Sequence, residues 1–118
     1  MPRNREVGQG LWPTVAGPST ALGLTAGTTQ ANSVMAPDVE YAEYTTVAAS
    51  GIATINDLHC AAGDELTISN MGANSLTPYP PVGGKIGTGA TNAAGTAIPA
   101  GGFGVFVRSN TALVWLQK

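Results

Sequence analysis

Apolar and polar positions alternate with a period of two in several short stretches of this chain, and glycine, proline and asparagine separate those stretches. Leu66 and Ile68 alternate with Thr67 and Ser69, the pattern of a half-buried strand. Thr20 to Ala26 is short and half apolar and reads as an earlier strand. Tyr41 to Ala49 holds Tyr44, Thr45, Thr46 and Val47, aromatic and β-branched types that suit a pleated sheet. Asp38 to Ser50 is the longest run without glycine or proline and would permit a helix, but the Thr-Thr-Val triplet favours a strand. Ile52 to Leu58 reads as another strand. Asn70 to Asn74 supplies asparagine and glycine for a tight reversal, after which Leu76 to Tyr79 is expected to pair back as a hairpin.

The clearest hairpin lies at the end of the sequence. Phe103, Val105 and Val107 fall on one face of a strand, and Phe106 and Arg108 on the other. Ser109-Asn110-Thr111 makes the turn, and Leu113 to Gln117 returns with Trp115 beside Leu113. Phe103, Val105, Val107, Leu113 and Trp115 are therefore expected in the core. Residues 80 to 102 are rich in glycine and read as loop, with Ile86 and Ile98 as apolar pins. Strands recurring about every ten residues, with turns between, predict an all-β sandwich or barrel.

The first residues differ. Gly8, Gly10, Pro13, Gly17 and Pro18 interrupt them too often for a helix or a central strand, yet Val7, Leu11, Trp12 and Val15 are apolar. This predicts an extended N-terminal arm over 1–19 and one β-domain over 20–118. At 118 residues, one domain is the expectation. With 16 glycines and only 6% aromatic residues, its core is small, and oligomerisation is the usual remedy. A homo-oligomer is expected, trimer ahead of dimer.

Charge adds to the picture through its placement. Arg3 and Arg5 lie in the arm; Asp38, Glu40, Glu43, Asp57, Asp64 and Glu65 follow with no lysine or arginine between them. Clustered cations that would neutralise phosphates are missing from the sequence, so nucleic acid is not an expected partner. Mean hydropathy of +0.11 argues against a disordered chain. No apolar run approaches the ~20 residues of a membrane helix, and no apolar h-region follows the N-terminal arginines. Synthesis in the cytoplasm is expected, and the single cysteine, Cys60, suits a reducing compartment.

Little in the sequence carries reaction chemistry. His59-Cys60 is the one reactive pair, and adjacency in a strand would point the two side chains to opposite faces; a Cys-His nucleophile needs them within hydrogen-bond reach. A buried, inert Cys60 beside a surface or interface His59 is the preferred reading. Asp57, Asp64 and Glu65 are close enough in sequence to offer oxygens to Ca²⁺, but without an EF-hand spacing. The Gly101-Gly102-Phe103-Gly104 cluster precedes a strand, whereas phosphate cradles rely on a helix N-terminus. Neither catalysis nor a cofactor or metal is expected. Trp12, Tyr41, Tyr44, Tyr79 and Trp115 would stack on sugars if exposed together.

The order of several segments resembles the head decoration (cement) proteins of tailed phages and, more loosely, other small β-rich phage virion proteins. The segments are Ala-Gly-Thr-Thr-Gln at 26–30, Asn-Met-Gly-Ala-Asn at 70–74, Tyr79-Pro80 followed by Gly83-Gly84, and a phenylalanine-bearing strand before Trp115. The resemblance spans roughly residues 25 to 116 and leaves the arm outside it. It implies a jelly-roll-like β-sandwich, a non-enzymatic structural protein on the capsid exterior of a virion made in a bacterial host, and two partners: the major capsid protein and further copies of itself. In that setting Arg3, Arg5, Leu11 and Trp12 are the expected interface residues, with Trp12 as the anchor; the alternative for the arm is packing on its own domain or on a sister subunit. The alternative from another class is a tail-fibre or spike module that recognises host surface glycan.

Overall fold

A computed structural model describes residues 19–118, so the arm residues Arg3, Arg5, Leu11 and Trp12 lie outside the described part. The described residues form eight strands and no helix: β1 Thr20–Thr25, β2 Tyr41–Thr46, β3 Gly51–Thr54, β4 Glu65–Asn70, β5 Leu76–Tyr79, β6 Lys85–Ile86, β7 Phe103–Arg108 and β8 Val114–Gln117. The all-β expectation holds, and strands are present at each place anticipated; the short β6 is the addition, lying inside the stretch 80 to 102 that reads as loop in the sequence.

Their pairing differs from the expected one. A six-stranded sheet runs β1-β2-β4-β7-β8-β6, and β3 and β5 form a second, smaller sheet. Strands β1, β2 and β4 are mutually parallel neighbours, as are β3 and β5. Val34 adds a further parallel bridge to Thr54 of β3. The chain therefore passes from the large sheet to the small layer and back in successive coils: β1 to Val34, β2 to β3, β4 to β5. Among the strand-to-strand pairs of the described residues, the antiparallel ones are those of β7, with β4 and with β8; isolated antiparallel bridges join Gly27 to Ile52 and Leu76 to Ile98. This is a solenoid-like path closed by a hairpin, where a jelly roll would use antiparallel pairs throughout.

The cause sits at Asn70 to Asn74. Leu76 to Tyr79 does not pair back on β4. Instead Asn70, fully buried, accepts from the Gly72 N–H at 2.9 Å through Oδ1, and its Nδ2 donates to the carbonyls of Asn74 at 2.8 Å and Ile98 at 2.9 Å. These bonds turn the chain through a corner and hand it to the other layer. Asn74 donates in turn to the carbonyl of Val47, on the preceding coil's corner, at 2.9 Å. The stacked corners touch closely: a Cβ on Gly72 would lie 2.7 Å from the Val47 side chain, so only glycine fits there.

One cluster joins the two layers. Ala42, Tyr44, Leu66, Ile68, Phe106 and Trp115 from the large sheet meet Ala53, Ile55, Leu76 and Ile98 from the other side. Ile98 thus serves as the pin expected of it, and Ile86 packs against the same cluster from its edge. The β7 faces, however, are the reverse of the expectation. Gly104 and Phe106 point inward, while Phe103 is 68% exposed and Val105 and Val107 are half-buried on the outer face. Leu113 is exposed too, so of the five expected core residues only Trp115 is buried.

Tyr44 gives the core a signature in alkali. Burial pushes its phenol up to about 12 from 10.0. The unfolded chain then sheds the proton first, so the stabilisation is complete below pH 10 and is lost as pH rises towards 12. Urea unfolding is expected to show about 2 to 3 kcal/mol lost across that window on this account. Tyr44→Phe should flatten the slope, and an unchanged slope in that variant would assign the effect elsewhere.

Candidate interaction surface

Two exposed apolar regions stand out against this frame. The first is the outer face of the large sheet. Pairing places Val107 opposite Leu116, Val105 opposite Thr67, and Phe103 opposite Ser69. Phe103, Val105, Val107 and Leu116 thus form a continuous apolar stripe, with Leu116 48% exposed. Alternation on a solvated sheet would put polar side chains there, which makes this apolar face a candidate interaction surface.

The second is a groove of about 460 Å³ where the coils meet the closing hairpin. Val34, Leu58, Val82 and Leu113, from four separate segments, line it, and all four are exposed. Beneath it the Asp57 carboxylate is fully engaged. It accepts two bonds from Arg108, from Nε at 2.9 Å and from Nη2 at 3.0 Å, and one from the Trp115 indole Nε1 at 2.8 Å. The Leu113 N–H points to the same carboxylate at 3.4 Å. Both members of the ion pair have side chains only 10% exposed. The hydrogen bond from Arg108 to Asp57 raises the guanidinium pKa further above its ordinary value, against the cost of burial. Asp57 belongs to the second coil and its partners to β7 and β8, so this pair fastens the hairpin to the coils.

The residues singled out for chemistry are dispersed. Asp57 is spent on Arg108 and Trp115. Asp64 Oδ2 accepts the Ala61 N–H at 3.0 Å, and Glu65 is exposed on β4. No group of three or more histidine, cysteine or acidic side chains among the described residues is placed to hold a metal ion. His59 and Cys60 lie in a turn after β3, outside the strand expected for them. The His59 ring meets Asp38 at 3.3 Å on the groove rim, while the Cys60 thiol donates to the Asn56 carbonyl at 3.7 Å. Of the aromatic residues, Tyr44 and Trp115 are buried and unavailable for stacking on a sugar. Tyr41 is half-buried on the outer sheet face, its hydroxyl donating to Glu43 at 3.2 Å.

Two segments that carry the phage resemblance do meet in space. Gln30, ending the Ala-Gly-Thr-Thr-Gln stretch, donates through Nε2 to the carbonyl of Pro80 at 2.8 Å, in the Tyr-Pro stretch. No family model, curated protein or solved structure matches this chain.

The groove had no signal in the sequence, because its four exposed apolar residues are spread from position 34 to position 113. The outer stripe did have one: the β7 apolar residues were legible as a face, and only its direction was misassigned.

Proposed function

We propose that this protein is a capsid decoration protein, binding the outer lattice of a tailed-phage head and stabilising it. The observation that carries the reading is the outer stripe of Phe103, Val105, Val107 and Leu116, an apolar sheet face suited to contact with another protein. The order of segments from Ala26 to Trp115 supports the choice of partner, and the Gln30–Pro80 bond gives two of those segments a joint structural role. The partners are the major capsid protein and further copies of this chain, trimer ahead of dimer. The mechanism is thermodynamic: a ligand that binds only the assembled shell stabilises it by mass action, and many copies repeat the gain. Of the jelly-roll-like sandwich that the resemblance implies, this reading keeps two β-layers around one core and an N-terminal arm; the strand connections are the coiled ones described above.

In this reading the stripe gathers copies of the chain, and the arm meets the shell through Arg3, Arg5, Leu11 and Trp12. Interface energy concentrates in tryptophan, tyrosine and arginine, and the two arginines contribute specificity and association rate against acidic groups of the shell. The test is co-sedimentation with undecorated capsids, with light scattering on the free protein. Deleting residues 1 to 15 should leave the β-domain folded but abolish pelleting with particles. Phe103→Ser together with Leu116→Ser should leave folding intact and shift scattering to the monomer. Unchanged pelleting by the truncated form would remove the arm from the mechanism. Absence of pelleting by the intact protein would remove the reading itself.

A further inference from the structure

The groove beside Asp57 calls for an apolar occupant. Its polar floor is already satisfied by Arg108 and Trp115, and its walls are the exposed side chains of Val34, Leu58, Val82 and Leu113. Leu113 sharpens the point. Its φ is +66°, a left-handed conformation that costs a leucine about 1 to 2 kcal/mol and that glycine or asparagine would adopt more easily. The turn alone gives no reason for a leucine, whereas an apolar contact made by its side chain does.

The start of the described chain says what can reach this place. The Ser19 carbonyl accepts the N–H of Glu40 at 2.8 Å and of Tyr41 at 3.2 Å. Two residues before Glu40, Asp38 meets His59, which lines the groove. The N-terminal segment therefore joins the body close to the groove rim. Six residues lie between Trp12 and Ser19, so the seven steps from one to the other reach at most about 25 Å. Leu11-Trp12 is the bulkiest apolar pair of that segment, and 460 Å³ leaves room for an indole and a leucine side chain.

We propose that in the free protein this groove seats Leu11 and Trp12 of the same chain. The seat goes beyond the capsid reading and needs no shell. It covers the apolar pair until a partner is met, while Arg3 and Arg5, further along the segment, remain available to acidic groups.

Acrylamide quenching of tryptophan emission in the full-length protein tests it, because the chain holds only Trp12 and Trp115. Trp115 is buried and reports an intact body. Both tryptophans are expected to be shielded in the unmodified protein, at every dilution. Leu58→Asp and Val82→Asp alter side chains that are more than half exposed, so the fold should survive them. Each should make one tryptophan quenchable, and adding Trp12→Phe should remove that quenchable component. A Trp12 already quenchable in the unmodified protein overturns the proposal, as does shielding that survives both groove variants. Shielding lost on dilution would place a second copy's segment in the groove and overturn the same-chain seat. No shell enters the measurement, so its failure and a failed co-sedimentation are separate results.

Discussion

Trp115→Ala is expected to cost about 3 to 5 kcal/mol in urea unfolding, the usual range for removing a large buried aromatic side chain. Trp115 is only 1% exposed and the largest fully buried side chain among the described residues, so little of the vacated space can be refilled by exposed neighbours. Its position raises the cost further. β8 is held by β7 on one side and by the two-residue β6 on the other, and Ile86 of β6 pairs directly with Trp115. Losing the indole loosens that whole edge. Trp115→Phe separates the two contributions: it keeps most of the apolar area but drops the N–H that donates to Asp57 at 2.8 Å. About 1 to 3 kcal/mol is expected for that change, the range for a hydrogen bond to a charged group. A loss under 1 kcal/mol for the alanine variant would mean that the hairpin is not packed as described.

The elements of this fold were legible in the sequence; their connections were not. Period-two alternation at Leu66 to Ser69, and β-branched and aromatic runs at Tyr41 to Val47, mark strands because a pleated sheet needs those residues locally. The Asn70 to Asn74 stretch marks a change of direction equally well. Whether the chain returns along the same layer or crosses to the other depends on what the Asn70 side chain finds, and one of its acceptors, the Ile98 carbonyl, lies 28 residues away. Short-range signals do not encode that choice.

The β7 faces failed for a related reason. Counting apolar residues favours Phe103, Val105 and Val107 as the inner set over Gly104, Phe106 and Arg108. The inner position of Arg108 becomes affordable only through Asp57, 51 residues earlier. Gly104 is wanted inside because Ile98 and the Phe106 ring crowd it: a Cβ there would approach each to 3.2 Å. Asp57 itself was recognisable as a residue worth noting, but as a metal ligand, since nothing nearby in sequence announces an arginine and an indole as its partners.

Asp57→Ala should therefore be the most damaging change of a single charged residue in the described part, at about 3 to 5 kcal/mol. Removing one member of a buried pair leaves the other charge without compensation. Here the bereft group is a guanidinium with a side chain 10% exposed, and Trp115 and the Leu113 N–H lose their acceptor as well. Because the pair is covered, added salt should do little to it, unlike an exposed ion pair screened within about 10 Å at 0.1 M. Asp57→Asn retains an oxygen for the indole but not the charge, and an intermediate loss is expected. Arg108→Met fills the volume of the cation but leaves the Asp57 carboxylate covered with only the indole and the Leu113 N–H as donors, so a loss approaching that of Asp57→Ala is expected from it alone. In the double variant, Arg108→Met should recover part of what Asp57→Ala loses, because no unpaired charge then remains. Full additivity of the two single changes, or a loss under 1 kcal/mol for Asp57→Ala, would show that apolar packing and the β4–β7 ladder hold the coils and the closing hairpin together without the ion pair.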